Sequence, residues 1–206
     1  MGTYRGADGW QAFVVDQKNG RWGNAAQLPG LQALNVGGQA AAGTVSCSSA
    51  GDCGVGGYYA KVHETYPTTV RQQAFVAFEK NGTWGRAQPV PGSPDPERGQ
   101  EAAISDMSCP SPGNCGATET YSSYGTPSTL AFVVNAVGGR WRGAILTRGW
   151  AAIGSRGDDQ IGPVSCASSG NCSAAGSYLT VAGWQGFVIG ENNGVWGTAQ
   201  EIQAPG

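Results

Sequence analysis

The sequence has little charge, a single histidine and no long hydrophobic run. Asp, Glu, Lys and Arg make up 13% of the 206 residues, and the formal net charge is −2. Nucleic acids and anionic membranes are bound by clustered Lys and Arg, which this composition does not supply. No apolar run approaches the roughly 20 residues of a membrane-spanning helix. These absences disfavour nucleic-acid binding and a membrane span.

A secretory leader is not visible either, because repeat sequence begins directly after Met1. Residues 2–11 align without a gap with residues 176–185, so the chain begins partway through a repeat. We therefore expect Met1 to be a start codon added to a piece of a longer protein. Natural processing and a natural short form are the alternatives.

Glycine is abundant, at 35 residues, and the sequence repeats itself. From the Trp of one unit to the first cysteine of the next there are always 25 residues, whereas the gap from the second cysteine to the next Phe falls from 22 to 17 to 15. Self-similarity at this period is typical of propellers, solenoids and arrays. A Phe and a Trp nine positions apart recur as Phe13 and Trp22, Phe75 and Trp84, Phe132 and Trp141, and Phe187 and Trp196.

All six cysteines fall into pairs with five residues between the members. The pairs are Cys47 and Cys53, Cys109 and Cys115, and Cys166 and Cys172. Equal spacing favours three local disulfides formed in an oxidising compartment, and hence a secreted protein. Such a bridge closes about seven residues, for which chain entropy gives roughly 2 to 3 kcal/mol. Zinc ligation prefers a closer spacing and four ligands, so it is a weaker alternative, as are free thiols.

The third complete unit predicts a four-stranded antiparallel meander, with strands that we name A to D. Asn193-Gly194 predicts a tight turn between strands C and D, because Asn and Gly accept positive φ. The Phe and Trp then lie on adjacent strands, where we expect them to pack in the core. Helix signals are nearly absent. The four strands are expected at 162–166, 172–178, 185–190 and 195–199.

The hairpin that ends in Asn-Gly-x-Trp resembles the Asp-box hairpin of sialidase-like β-propellers, although the Ser and Asp of that box are not consistently present. The whole unit, Val-Ser-Cys-x5-Cys followed by Phe-Val and Asn-Gly-x-Trp-Gly, is also similar to tandem repeats of secreted actinobacterial proteins. That second resemblance covers nearly the whole chain. It implies a secreted propeller-like repeat and carries no settled activity.

We therefore expect one all-β domain, a β-propeller of about four blades, with a β-trefoil as the alternative. The expected units are residues 1–30, which lack strand A and part of strand B, and residues 31–92, 93–147 and 148–206. A fourth Phe–Trp hairpin would be surplus in a trefoil. The incomplete first blade leaves an open sheet edge, which favours self-association or cover by further repeats.

The segment whose length varies between units, from the second cysteine to the next Phe, contains the predicted B–C loop. Aromatic residues are concentrated in this segment. Loops on a fixed scaffold are where binding sites are expected, and Tyr and Trp provide rigid contact area with a polar group. Such rings, with polar neighbours, suit a glycan. Structural cover of the blades is the competing interpretation. The candidate ligand-binding residues are Tyr4, Trp10, Tyr58, Tyr59, Tyr66, Tyr121, Tyr124, Tyr178 and Trp184, joined on the same rim by Lys61, His63, Glu64, Glu119, Thr120, Asn35, Asp95, Glu97, Arg98, Trp150, Arg156, Asp158 and Asp159.

Catalysis has little support in the sequence. A triad needs a positioned base, and His63 lies in the longest loop. A carboxylate pair is conceivable at Asp158 and Asp159 or at Glu97 and Glu101, but adjacent loop residues seldom give opposed geometry. Neither a sialidase-type arginine cluster nor a calcium loop can be placed.

The sequence therefore predicts a secreted, non-enzymatic, lectin-like β-propeller that binds a glycan or cell-surface polymer and needs no metal or cofactor. A non-catalytic structural or protein-interaction module of a larger extracellular protein is the alternative, and a glycoside hydrolase is a weaker one.

Overall fold

A computed structural model describes residues 1–63, 69–94, 100–123, 129–147 and 158–203. Strand accounts for 70% and helix for 2%, which confirms the predicted all-β class. The sheets are antiparallel and curl as a half-barrel. Among the described residues, no helix has the length and apolar character needed to cross a membrane.

The first sheet has three strands and carries a separate two-stranded hairpin. Its edge strand β1 pairs with β2, and β2 pairs with β5. The hairpin joins β3 to β4. The bounds are β1 Gly2–Gly6, β2 Gly9–Val14, β3 Gln17–Lys18, β4 Arg21–Trp22 and β5 Ala26–Gln27, followed by the short helix α1 Leu31–Leu34.

Three further sheets follow, each an antiparallel meander of strands A to D. The second contains β6 Ala40–Ser49, β7 Asp52–His63, β8 Thr69–Lys80, β9 Thr83–Trp84 and β10 Gln88–Pro89. The third contains β11 Gln100–Ser111, β12 Asn114–Ser123, β13 Thr129–Val137, β14 Arg140–Trp141 and β15 Ile145–Leu146. The fourth contains β16 Gln160–Ser168, β17 Asn171–Thr180, β18 Gly183–Asn192, β19 Val195–Trp196 and β20 Gln200–Ile202.

Strand D differs from its prediction, because it is divided into two short strands that both pair with strand C. The division follows the tryptophan. The next residue donates its backbone N–H to a carbonyl of strand C, as from Gly85 to Phe78 (2.8 Å) and from Gly197 to Gly190 (2.9 Å). Pairing with strand C resumes three residues after the bonded glycine, at Gln88 and at Gln200.

The predicted turns and disulfides are both present. Asn19, Asn81 and Asn193 have φ near +50°, as the Asn-Gly turns require. The three disulfides join each cysteine to its partner across the A–B turn. In each complete sheet the C–D turn also donates a backbone N–H to the A–B turn: Gly82 to Gly51, Gly139 to Gly113 and Gly194 to Gly170, at 2.8–2.9 Å.

Consecutive sheets pack face to face, and the disulfides of the third and fourth sheets each lie on a glycine of the sheet before. A Cβ built on Gly54 would come within 2.9 Å of Cys109 Sγ, and one on Gly116 within 2.8 Å of Cys172 Sγ. The same position in the fourth sheet is Ser173, which is exposed. Only a residue without a side chain fits under the next disulfide.

Hydrogen bonds and tryptophans join the same pairs of sheets. The backbone N–H of Cys109 donates to Ser46 Oγ (2.9 Å), and that of Cys166 donates to Ser108 Oγ (3.0 Å). Trp141 stacks on Phe78 of the preceding sheet, with 5.1 Å between ring centroids. Trp22 of the first sheet is 68% exposed, whereas Trp141 and Trp196 of the third and fourth sheets are 7% exposed. The fixed Trp-to-Cys spacing therefore serves packing between sheets.

Candidate functional site

Three of the tyrosines predicted to bind ligand lie in the core. Tyr59, Tyr121 and Tyr178 are between 0% and 4% exposed. Tyr121 and Tyr178 pack against Phe132 and Phe187, with centroids 6.0 and 6.3 Å apart. Tyr59 donates its hydroxyl hydrogen bond to Gln73 Oε1, and burial raises the pKa of Tyr59 to about 12. These rings belong to the apolar cores formed between neighbouring sheets and present no surface to a ligand.

Part of the predicted rim lies outside the described residues. His63 is the last residue of β7. Asp158 is half-buried, whereas Asp159 is 1% exposed and its backbone N–H donates to Thr129 O (2.8 Å), so Asp159 does not belong to an exposed rim. The candidates outside the described residues are Glu64, Tyr66, Asp95, Glu97, Arg98, Tyr124, Trp150 and Arg156.

The aromatic candidates that do reach the surface are Tyr4, Trp10 and Trp184, with Tyr58 half-buried. Tyr4 packs edge-on against Phe13 at 6.4 Å and accepts a hydrogen bond from Gln27 Nε2. Trp10 and Trp184 are 49% and 51% exposed. Each stands at the start of strand C, directly after a B–C hairpin turn.

Trp10 is held by its backbone rather than by its ring. Its N–H donates to Gly38 O (2.8 Å), and its C=O accepts from Asn35 Nδ2 (3.0 Å). Both partners belong to the segment that connects α1 to β6. Both the N–H and the C=O of Trp10 are therefore hydrogen-bonded, so its main chain is fixed while its indole ring is half exposed.

Asn35, which we predicted as a rim residue, holds the main chain around Trp10 in place through hydrogen bonds. It is 5% exposed, and its amide also donates to Gln11 Oε1 (3.1 Å). Its Oδ1 accepts from the backbone N–H of Gln39 (2.9 Å) and of Ala60 (3.2 Å). Two donated and two accepted bonds use the whole hydrogen-bonding capacity of the side-chain amide. Asn35 thus ties strands of two sheets to the Trp10 main chain.

Polar side chains lie near Trp10 in the hairpin turn, in the neighbouring strand and in α1. Asp8 is exposed in the hairpin turn, and its Oδ2 accepts from Gln32 Nε2 of α1 (3.3 Å). Arg5 lies directly opposite Trp10 in the β1–β2 pairing and is also exposed. We name Trp10, Asp8, Gln32 and Arg5 the Trp10 surface. It combines an apolar ring with a carboxylate, an amide and a guanidinium.

The Trp184 hairpin offers a smaller surface. Its turn is closed by Thr180, whose Oγ1 donates to Gly183 O (2.9 Å) and accepts from the Ala182 N–H (3.1 Å). The exposed neighbour in the turn is Val181, at 86%. Trp184 therefore lacks, among the described residues of its hairpin, the charged border found at Trp10.

Glu119 was predicted as a rim residue, but it lies in the core. Glu119 pairs directly with Phe132, whereas the corresponding residues Gly57 and Gly176 pair with Phe75 and Phe187. Its side chain is fully buried, and Oε1 accepts from the Ser93 hydroxyl. Burial raises the pKa of Glu119 to about 7, against which the Ser93 hydrogen bond acts. Aligning the units would have shown that Glu119 stands where the other complete units have glycine, and this would have marked it as unusual.

The described residues assemble no cluster of metal-ligating side chains. They contain no group of three or more His, Cys, Asp or Glu side chains placed to hold a metal ion. The sequence matches no protein-family model and no curated protein.

Proposed function

We propose that the protein is an extracellular, non-catalytic glycan-binding protein that uses the Trp10 surface. The observation that carries the proposal is the half-exposed indole on a main chain fixed by Gly38 and Asn35. The three disulfides support an extracellular location, because such bridges persist in oxidising compartments.

The chemistry of the Trp10 surface suits a sugar ring. An indole gives a large apolar face for the C–H groups of a pyranose at low conformational cost. Asp8 and Gln32 supply acceptors and donors for hydroxyl groups beside it. Since the main chain of Trp10 is already fixed, binding loses little main-chain entropy.

We further propose that the four sheets are blades of a β-propeller. The proposal is supported by their order along the chain, their meander topology and the packing of each sheet on the one before it. In that arrangement Trp10 and Trp184 lie at the same end of their blades, since both follow B–C turns.

A glycan array tests the binding function. The wild type is expected to give specific signals, and Trp10→Ala is expected to weaken them about tenfold or more, equivalent to about 1.4 kcal/mol. Trp22→Ala is the matched control, because Trp22 is even more exposed but lies away from the B–C turns. A wild type without signal, or equal losses for the two variants, would contradict the proposal.

The open edge of β1 favours a second candidate, a protein-interaction or self-association module. β1 pairs with β2 on one side and ends the first sheet on the other. An unpaired edge is a template for a strand of another chain, and charged side chains block such pairing.

We expect light scattering to detect a concentration-dependent dimer that Thr3→Lys abolishes, because Thr3 is exposed on this edge strand. A wild type that stays monomeric at high concentration would exclude self-association through β1.

A further inference from the structure

A cavity of about 360 Å³ lies between the first and second sheets. Trp22 and Trp84 both line it, together with the carboxylate residues Asp16 and Glu79. The Cys47–Cys53 disulfide and Met1 also contribute to its walls. Its volume falls within the range of about 300–1,000 Å³ that small-molecule sites occupy.

The junction between the first and second sheets differs from the later junctions in what lies against the incoming disulfide. At the later junctions the incoming disulfide lies on Gly54 or Gly116 of the preceding sheet. At the first junction the incoming Cys47–Cys53 disulfide lines the cavity instead.

The cavity has an acidic and aromatic character. Among its described lining residues, none carries a Lys, Arg or His side chain. Asp16 is positioned by Trp84, whose Nε1–H donates to Asp16 Oδ1 (3.2 Å). Burial raises the pKa of Glu79, and the charges of Asp16 and Asp52 raise it further. A cation in the cavity would offset this mutual repulsion.

We propose that this cavity binds an organic monocation, of the quaternary or alkylated ammonium class, between the indole rings and the two carboxylates. Aromatic rings attract such cations through their quadrupoles, and the alkyl groups fit an apolar wall. A metal ion is a poorer match, because the described residues provide no cluster of three ligating side chains. The inference is independent of glycan binding at Trp10.

Choline chloride is the probe, and 3,3-dimethyl-1-butanol is its uncharged counterpart of the same shape. Titrations followed by tryptophan fluorescence are expected to show saturable choline binding, with the neutral alcohol at least tenfold weaker. Equal affinities would show a merely apolar pocket and overturn the proposal, as would the absence of a saturable choline signal.

Variants locate the site. Glu79→Gln and Trp22→Ala are each expected to weaken choline binding about threefold to tenfold. Glu201→Gln removes the same charge from an exposed position in the fourth sheet and should leave it unchanged. Trp10→Ala should also retain choline binding, so failure at the cavity and failure at the Trp10 surface are distinguishable. Equal effects of Glu79→Gln and Glu201→Gln would overturn the assignment to this cavity.

Discussion

Glu119→Gln is expected to raise the free energy of unfolding at pH 8 by about 3 kcal/mol. The pKa of Glu119 is about 7 in the folded protein, against 4.5 for the ordinary group. Ionising a fully buried carboxyl is unfavourable, and each pKa unit corresponds to about 1.4 kcal/mol. Gln keeps the shape and can still accept the Ser93 hydrogen bond while carrying no charge.

The pH dependence has a definite sign. A carboxyl whose pKa is raised by folding stabilises the folded state below pH 4.5, where it is protonated in both states. This stability is lost as the pH rises from 4.5 towards 7 and stays lost above it. Denaturant unfolding of the wild type should therefore show a fall in the free energy of unfolding between pH 5 and 8, to which Glu79 and Glu191 also contribute because burial raises their pKa values. Glu119→Gln should reduce this fall by about 3 kcal/mol.

Glu101→Gln is the matched control, because Glu101 is an exposed carboxyl on β11, the strand that pairs with β12. It should leave the pH profile as it is in the wild type. If Glu119→Gln leaves the same fall between pH 5 and 8, the carboxyl does not titrate in the buried position described here.

Gly116→Ala is expected to lower the free energy of unfolding by about 1–3 kcal/mol, the usual cost of overpacking. The added Cβ would meet Cys172 Sγ at 2.8 Å and Cys166 Sγ at 2.9 Å. A disulfide cannot swing aside as the end of a flexible side chain can, so the sheets must separate slightly. The loss should appear as a lower denaturation midpoint.

Ser173→Ala provides the comparison at the corresponding position of the fourth sheet. That site is exposed, and a surface exchange there should change the free energy of unfolding by less than about 0.5 kcal/mol. Similar losses for the two variants would mean that stacking of a disulfide on the preceding sheet does not govern this position.

The turns and disulfides could be predicted from short sequence patterns, because each depends on residues close together in the chain. The Asn-Gly turns have the positive φ that the residue types require, and the short Cys-x5-Cys spacing closes the A–B turn. Strand D was predicted as one strand, since the bond from Gly197 to Gly190 that divides it involves main-chain atoms and has no side-chain signature.

Burial was harder to predict, because it depends on the neighbouring sheet. Tyr59, Tyr121 and Tyr178 were assigned to a binding face on residue type, yet each stands six positions after the second cysteine of its unit. That constant offset marks a core position. Trp10 was predicted as a candidate from its type and its place in the B–C segment; the bond from Asn35 that fixes its main chain joins residues 25 positions apart.

The indole N–H signals of the seven tryptophans in a ¹⁵N NMR titration test the binding account most directly. With a glycan selected from the array, the Trp10 signal is expected to shift progressively, while the signals of Trp22 and Trp84 stay in place. Choline should give the opposite pattern. A glycan that shifts only Trp22 and Trp84, or none of the seven signals, would contradict the assignment of glycan binding to the Trp10 surface.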